Sequence, residues 1–115
     1  MVEYAKKYNP GIPAEKRLIR TVQGWGDVLI LAEAMKRADA AGSLGGESIL
    51  KNGFETMENF DIGLGAPPIT FTATDHRVAG QVPIYEWKDG AFRLVERVDL
   101  KGRWPNKWAN EWIGW

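Results

Sequence analysis

The 115-residue chain is long enough for one domain with a modest core and too short for two ordinary domains. Fifteen basic residues balance fifteen acidic ones, so net charge gives no general attraction to nucleic acid or to an anionic membrane. Cysteine is absent, which excludes disulfides and thiol chemistry. The longest apolar run, Val28–Ala32, is far shorter than a membrane span. We therefore expect residues 1–115 to form a single unit without a nucleic-acid partner.

The first predicted elements are helical. Val2–Tyr8 is expected to form a short helix that ends at Asn9-Pro10-Gly11, because proline disfavours helical backbone in the preceding residue. A longer helix is predicted over Trp25–Ala38, where apolar residues recur every three or four positions. Glycines on both sides of Trp25 make it the expected start of that helix. The preceding segment, Arg17–Val22, fits a strand or a helix equally well.

A second helix is predicted after a glycine cap. Gly42 is a natural end for the first long helix. The next helix is expected over Gly46–Asn59, with its apolar face formed by Ile49, Leu50, Phe54 and Met57. A glycine-rich loop, Asp61–Gly65, then leads through two prolines to the sheet.

The segment from Pro67 to Val98 is predicted to be a three-stranded antiparallel sheet built around a tight hairpin. Asp89-Gly90 lies between two runs of strand-forming residues, and Asp-Gly favours the two-residue type I′ turn. That loop sets the register of the following pairs: Trp87 with Phe92, Tyr85 with Leu94, Glu86 with Arg93, and Ile84 with Val95. Ile69–Thr72 alternates apolar and polar residues, which predicts the third strand.

The C-terminal tail, Gly102–Trp115, contains four of the six tryptophans. Pro105 suits the first position of a helix. Trp104, Trp108, Trp112 and Trp115 would form one stripe on that helix. Such a stripe could stack on a ligand, but buried packing is the preferred interpretation, because exposing four indoles is unfavourable.

No residue pattern points to catalysis. His76 is the only histidine and follows Asp75, which could be half of an acid–base pair, but no third residue completes it and a turn is the favoured interpretation. One histidine and scattered carboxylates give no metal-ligand spacing, and no cofactor is expected. The glycine-rich loops Gly42–Ser48 and Gly63–Gly65 lack the lysine of a phosphate-binding loop, so we interpret them as connectors.

Three motifs carry a likeness to a known family: the Gly-Pro-rich lead into PPITF, the Thr-Asp-His-Arg turn, and the Tyr-x-x-Lys-Asp-Gly hairpin. Together with Trp25–Ala38 (WGDVLILAEAMKRA), they resemble the C-terminal third of periplasmic solute-binding proteins of the branched-chain amino acid type. These are the type I receptors of ABC importers. The likeness covers nearly the whole chain.

The resemblance implies an α+β fragment of a larger α/β fold, with two to four helices and the three-stranded sheet. It also implies two lobes joined by crossover strands, a small amphipathic solute such as an amino acid clamped between them, an ABC permease as partner, and a periplasmic location. Gln23 and Trp25 are the candidate ligand-binding residues, since they lead into the long helix.

Whole members of this family are about three times longer, so the resemblance predicts that the chain alone does not bind solute. The N-terminal segment MVEYAKKYNPG has no apolar signal-peptide core, which fits a truncated reading frame or a fragment. The alternative is a stand-alone interaction module that oligomerises through its helices. We expect a homo-oligomer in isolation, because the apolar helix faces and the Trp104–Trp115 tail exceed what three strands can cover.

Overall fold

The computed structural model describes residues 2–13, 16, 19–78 and 80–112. Within these ranges the chain is α+β, with five α-helices and a two-stranded antiparallel sheet. This confirms the coarse class, although the helices outnumber the expected two to four. The elements in chain order are α1 (Val2–Tyr8), α2 (Ile19–Ala40), α3 (Gly46–Ser48), a π-helical turn (Ile49–Gly53), a 3-10 turn (Phe54–Thr56), β1 (Gln81–Lys88), β2 (Ala91–Asp99), α4 (Leu100–Arg103) and α5 (Pro105–Asn110).

Helix α2 is longer than predicted and runs through both glycines that flank Trp25. The expected start at Trp25 is therefore wrong, as is a strand over the described part of Arg17–Val22; Arg17 and Leu18 lie outside the described residues. A glycine in a helix interior costs about 1 kcal/mol relative to alanine. Gly26 is buried, and a Cβ there would make an ordinary van der Waals contact, 3.4 Å from Cδ1 of Ile62.

The end of α2 follows the prediction. Gly42 has a φ of 89°, a left-handed conformation that glycine adopts without strain. Its amide donates to the Asp39 carbonyl at 2.8 Å, and the Ser43 amide donates to the Ala38 carbonyl at 3.1 Å. These two bonds satisfy carbonyls that a helix end otherwise leaves unpaired, and they form a Schellman cap.

The second helical segment changes type along its length. It begins at Gly46 as predicted, passes from α through π to 3-10 geometry, and ends at Thr56 rather than Asn59. Asn59 has a φ of 51°, which is outside any helix. The π turn shifts the helical register by one residue, so Ile49, Phe54 and Met57 face the core while Leu50 is exposed.

The π turn crosses α2 at very short range. A Cβ on Gly53 would lie 2.5 Å from the Ala34 carbonyl oxygen, closer than any real Cβ contact. Ala34 is fully buried, and so is Ala38 one turn later. Small residues on both elements therefore let the two backbones touch. The crossing forms the base of the core cluster, whose buried members are Ile30, Ala34, Met57, Ile69 and Phe71.

The hairpin turn and most of its register match the prediction. Asp89 and Gly90 both have positive φ, 53° and 77°, as a type I′ turn requires. Trp87 pairs with Phe92, Tyr85 with Leu94, and Glu86 with Arg93. The predicted Ile84–Val95 pair is wrong, because an irregularity between Ile84 and Tyr85 shifts the register and Ile84 pairs with Glu96. Val95 is thus the extra residue of a β-bulge.

The predicted third strand does not form. Within the described residues, Ile69–Thr72 makes only isolated bridges, Ile69 with Phe60 and Thr72 with Asp75. The alternation of apolar and polar residues is real, since Ile69 and Phe71 are both buried. Both side chains pack into the core beside α2 rather than against the hairpin. The Phe71 amide donates to the Met57 carbonyl at 3.0 Å.

The tail begins α5 at Pro105, as predicted, but the four tryptophans do not form one stripe. Trp108 is buried, whereas Trp104 and Trp112 pack edge to face with ring centroids 5.9 Å apart. Helix α5 ends at Asn110, so Trp112 lies beyond it, and Trp115 lies outside the described residues.

The chain is expanded for its length. Its Cα radius of gyration is 17.0 Å, against roughly 13 Å for a compact domain of this size. The accessible surface is 8633 Å², against roughly 6,300 Å² for a folded monomer of this mass. Large apolar side chains therefore remain uncovered on α2 and on both faces of the hairpin. No helix among the described residues is long and apolar enough to cross a membrane.

The Ala34–Gly53 contact generates a stability prediction. Gly53→Ala adds a Cβ where backbone atoms of Ala34 leave no room. We expect the free energy of unfolding to fall by about 1–3 kcal/mol, the usual effect of overpacking. Urea denaturation measures this. Gly46→Ala is the matched control, because a Cβ there has no neighbour within 4 Å, and it should be neutral or slightly stabilising. Equal stability of the two variants would contradict the close crossing.

The hairpin turn generates a second prediction. Gly90→Val should destabilise by more than about 1 kcal/mol, because a β-branched residue adopts positive φ only with strain. Gly90→Asn should retain most of the stability, since asparagine tolerates the left-handed conformation. Denaturant melts of both variants give the comparison. A Gly90→Val protein as stable as the parent would show that the turn is placed wrongly.

Candidate functional site

An apolar groove of about 440 Å³ lies on the described part of the chain. Its walls are the first half of α2, the loop from Ile62 to Pro67, and β1. Gly26 of α2 faces this loop: a Cβ there would lie 3.4 Å from Cδ1 of Ile62 and 3.9 Å from Cδ1 of Leu64. The lining residues are Val22, Gln23, Gly26, Asp27, Ile30, Ile62, Leu64, Gly65, Ala66, Pro67, Ile69, Val78, Pro83 and Tyr85.

The two candidate binding residues lie in different places. Gln23 lines the groove, whereas Trp25 does not. Two residues advance an α-helix by about 200°, so side chains at these positions point to nearly opposite sides. Trp25 instead contacts Tyr4 of α1, with ring centroids 6.2 Å apart. The sequence analysis did not identify the other polar side chains of the groove, Asp27 and Tyr85.

The groove offers few polar groups. Gln23 and Asp27 are one helical turn apart on α2, and the Tyr85 hydroxyl projects from β1. The remaining lining side chains are apolar. A zwitterionic solute needs hydrogen-bonding partners for both its charged groups, because an unpaired charge in an apolar site is strongly unfavourable. The groove can therefore hold the apolar part of a small molecule, but it supplies only part of the polar contacts.

A second polar cluster joins the Thr-Asp-His-Arg turn to the tail. The Asp75 carboxylate accepts hydrogen bonds from Nε of Arg77 at 2.8 Å and from the indole Nε1 of Trp108 at 2.8 Å. It also accepts from the Arg77 amide at 3.2 Å, which closes a turn around the carboxylate. Nζ of Lys101 lies 3.6 Å from the same carboxylate. The hydrogen bonds from the Arg77 side chain hold the pKa of Asp75 well below its ordinary value of 3.8.

Arg77 links this cluster to the end of α5, and we call Asp75, Arg77 and Trp108 the clamp. Its guanidinium lies over the Trp108 ring, 4.0 Å from the centroid, and donates to the main-chain carbonyls of Trp108 and Trp112. A cation at the C-terminal end of a helix is favourable, because the last carbonyls carry partial negative charge. Asp75, Arg77 and Trp108 satisfy one another, so we assign them a structural role. Sequence reasoning missed Arg77 and Trp108 as partners, because 31 residues separate them.

His76 points elsewhere. Its Nε2 lies 3.1 Å from a Glu55 carboxylate oxygen, and its side chain is half exposed. Asp75 and His76 therefore have separate partners, as the turn interpretation requires, and do not form an acid–base pair with each other. The described residues contain no cluster of three or more metal-ligating side chains. The loop before Gly46 leads into an α-helix of only three residues.

Comparison with known proteins gave no match. No protein-family model matches the chain, and no curated protein or solved structure is significantly similar to it. The functional argument therefore depends on the residues and their arrangement.

The clamp generates a pH prediction. The pKa of Asp75 is lower in the folded state than in the unfolded chain. The carboxylate therefore contributes fully to the free energy of unfolding at pH values above its ordinary pKa, and this contribution is lost as pH falls through the folded-state pKa. Asp75→Asn should lower the free energy of unfolding by about 2 kcal/mol at neutral pH, in line with hydrogen bonds to a charged group. The difference from the parent should narrow below about pH 4.

Urea melts at several pH values test this, with Asp89→Asn as the matched control. Asp89 forms an exposed ion pair with Arg93, and such pairs contribute about 0–1 kcal/mol. A stability difference for Asp75→Asn that stays constant from neutral to acid pH would rule out the proposed role of the carboxylate.

Proposed function

We propose that this chain is a segment of a type I solute-binding receptor of an ABC importer, corresponding to its C-terminal third. Its role is to supply one wall of the site for an amino acid or a related small amphipathic solute. In the complete receptor a permease would be the partner, and the periplasm the location. The chain alone is not expected to hold a solute.

The observation that supports this proposal most directly is the incomplete groove. It lies on the N-terminal half of α2, where the resemblance places Gln23 near the ligand, and its lining includes only three polar side chains. A receptor of two lobes would supply the remaining contacts from the opposite side. The uncovered apolar side chains of α2, including Val28 and Leu31, are also consistent with a segment that normally packs against a larger sheet.

A second candidate is the stand-alone interaction module. It is favoured by the exposure of apolar side chains on the hairpin, which the groove does not explain. The two candidates make different demands on the isolated chain: a receptor segment requires completion by another part of a protein, whereas a module requires a partner at the exposed face.

Calorimetric titration with branched-chain and aromatic amino acids tests the first candidate. The isolated chain should bind none of them more tightly than about millimolar, near −4 kcal/mol, because the site lacks half its polar partners. A micromolar dissociation constant would show that the chain is a complete receptor and would overturn the proposal.

A graft supplies the positive test. The chain is substituted for the C-terminal third of a full-length receptor of this type, and solute-dependent thermal stabilisation is measured. We expect stabilisation by the solute, which Gln23→Ala should reduce at least tenfold in apparent affinity. Asn106→Ala is the control, because Asn106 is exposed on α5 and outside the groove. A folded graft without solute-dependent stabilisation would contradict the proposed role.

A further inference from the structure

Glycine follows an aspartate or an asparagine at two places in the chain, Asp89-Gly90 and Asn52-Gly53. At such a pair the main-chain nitrogen of the glycine can attack the side-chain carbonyl carbon of the residue before it, because glycine has no Cβ to hinder the approach. The new N–Cγ bond closes a five-membered succinimide. The displaced group takes the glycine amide proton and leaves, as water from an aspartic acid or as ammonia from an asparagine.

Water then opens the succinimide at one of its two carbonyls. Opening at the side-chain carbonyl gives an ordinary aspartate, whereas opening at the main-chain carbonyl leaves an isoaspartyl linkage, in which the main chain runs through Cβ and Cγ. Aspartate and isoaspartate have the same atoms, so their interconversion needs no oxidant, reductant or cofactor. Either pair could therefore be a site of spontaneous modification.

Bond chemistry alone ranks the asparagine first. At neutral pH an amide loses ammonia more readily than an ionised carboxylate loses water, so Asn52 would be expected to react before Asp89. Ring closure, however, needs a backbone conformation at the reacting residue that neither a helix nor a closed turn provides. The segment must first open, and the free energy of that local opening decides which pair reacts in the folded chain.

The Asn52-Gly53 pair is held closed by the core. Nδ2 of Asn52 donates to Oγ of Ser48 at 3.0 Å, and the Asn52 carbonyl accepts from Oγ1 of Thr56 at 2.7 Å. Gly53 is buried in the π turn, with its backbone directly against that of Ala34. Opening this pair separates the crossing at the base of the core cluster, so it requires most of the free energy of unfolding.

The Asp89-Gly90 pair is free to open. The Asp89 side chain is 70% exposed, and its carboxylate accepts from Nη2 of Arg93 at 3.0 Å in an exposed pair of little stabilising effect. Among the described residues the Gly90 amide has no hydrogen bond, and a Cβ on Gly90 would have no neighbour within 4 Å. The flanking Trp87 and Phe92 are also exposed, and an uncovered two-stranded hairpin is marginally stable.

We propose that Asp89 is a modification site, and that in the folded chain it isomerises to isoaspartate faster than Asn52 deamidates. The fold thus inverts the order that the sequence indicates. An isoaspartyl linkage lengthens the main chain of the two-residue turn and removes its left-handed geometry, which separates Trp87 from Phe92, now edge to face at 4.8 Å. Tyr85 of the groove wall lies on the same strand. This inference does not depend on the proposed receptor function.

Peptide mapping of the 115-residue chain tests the proposal after several weeks in warm buffer at neutral pH. Heavy-oxygen water in the buffer labels each peptide that has passed through a succinimide, and chromatography separates isoaspartyl from aspartyl peptides. In the folded chain we expect isomer at Asp89 to form at least about five times faster than Asn52 deamidates, because only the hairpin opens at low cost. An Asp89 peptide without isomer, or deamidation of Asn52 ahead of it, would overturn the inference.

The same incubation in guanidinium chloride is the control for the fold. In the unfolded chain both pairs have a free backbone, so bond chemistry should decide and Asn52 should react first. Asp89 reacting first in both solutions would also overturn the inference, because the order would then not arise from the fold.

Asp89→Asn gives a comparison at matched chemistry, since the variant contains two Asn-Gly pairs that differ only in their place in the fold. In the folded variant the asparagine introduced at position 89 should deamidate at least about tenfold faster than Asn52, and the two rates should become similar in guanidinium chloride. Similar rates in the folded variant would refute the proposal. Solute titration reads out none of these rates, so failure here and failure of the receptor function are distinguishable.

Discussion

The close approach of Ala34 and Gly53 is the contact on which the rest of the structure depends. It brings the π turn against α2, and the side chains that follow, Met57, Ile69 and Phe71, then pack beside Ile30. The hairpin contributes nothing to this buried cluster, and its own side chains stay largely exposed. Stability therefore resides in one small core, whereas the hairpin and the N-terminal half of α2 leave apolar side chains exposed.

The sequence predicted the features that short-range chemistry determines. Asp89-Gly90 favoured the left-handed backbone of a tight turn, Gly42 favoured a capped helix end, and Pro105 suited the first position of a helix. The predictions from sequence failed where packing between residues distant in the chain determines the structure. The alternation over Ile69–Thr72 correctly marks one buried side, but alternation does not reveal which surface covers it, and the covering surface is a helix rather than a strand. The bulge at Val95 and the π turn likewise arise from fit between elements, with no local signal.

The candidate site was likewise predicted only in part from the sequence. The resemblance named Gln23 and Trp25 together as ligand-binding candidates, but Gln23 lines the groove and Trp25, two residues later, faces away because of helical geometry. The clamp formed by Asp75, Arg77 and Trp108 joins residues distant in sequence, so no motif could have revealed it. The groove has only three polar side chains, Gln23 and Asp27 on α2 and Tyr85 on β1, so it is an incomplete site for a zwitterion. The proposed receptor segment would receive the missing polar contacts of the groove from another part of a protein.

Amide hydrogen exchange tests the central claim most directly, namely that the core is complete within one chain while the hairpin is not. Amides between Ile30 and Ala38, and those of the π turn, should exchange slowest, because they surround the Ala34–Gly53 contact. Amides of β1 and β2 should exchange far faster. Hairpin protection that equals that of the core would contradict the account.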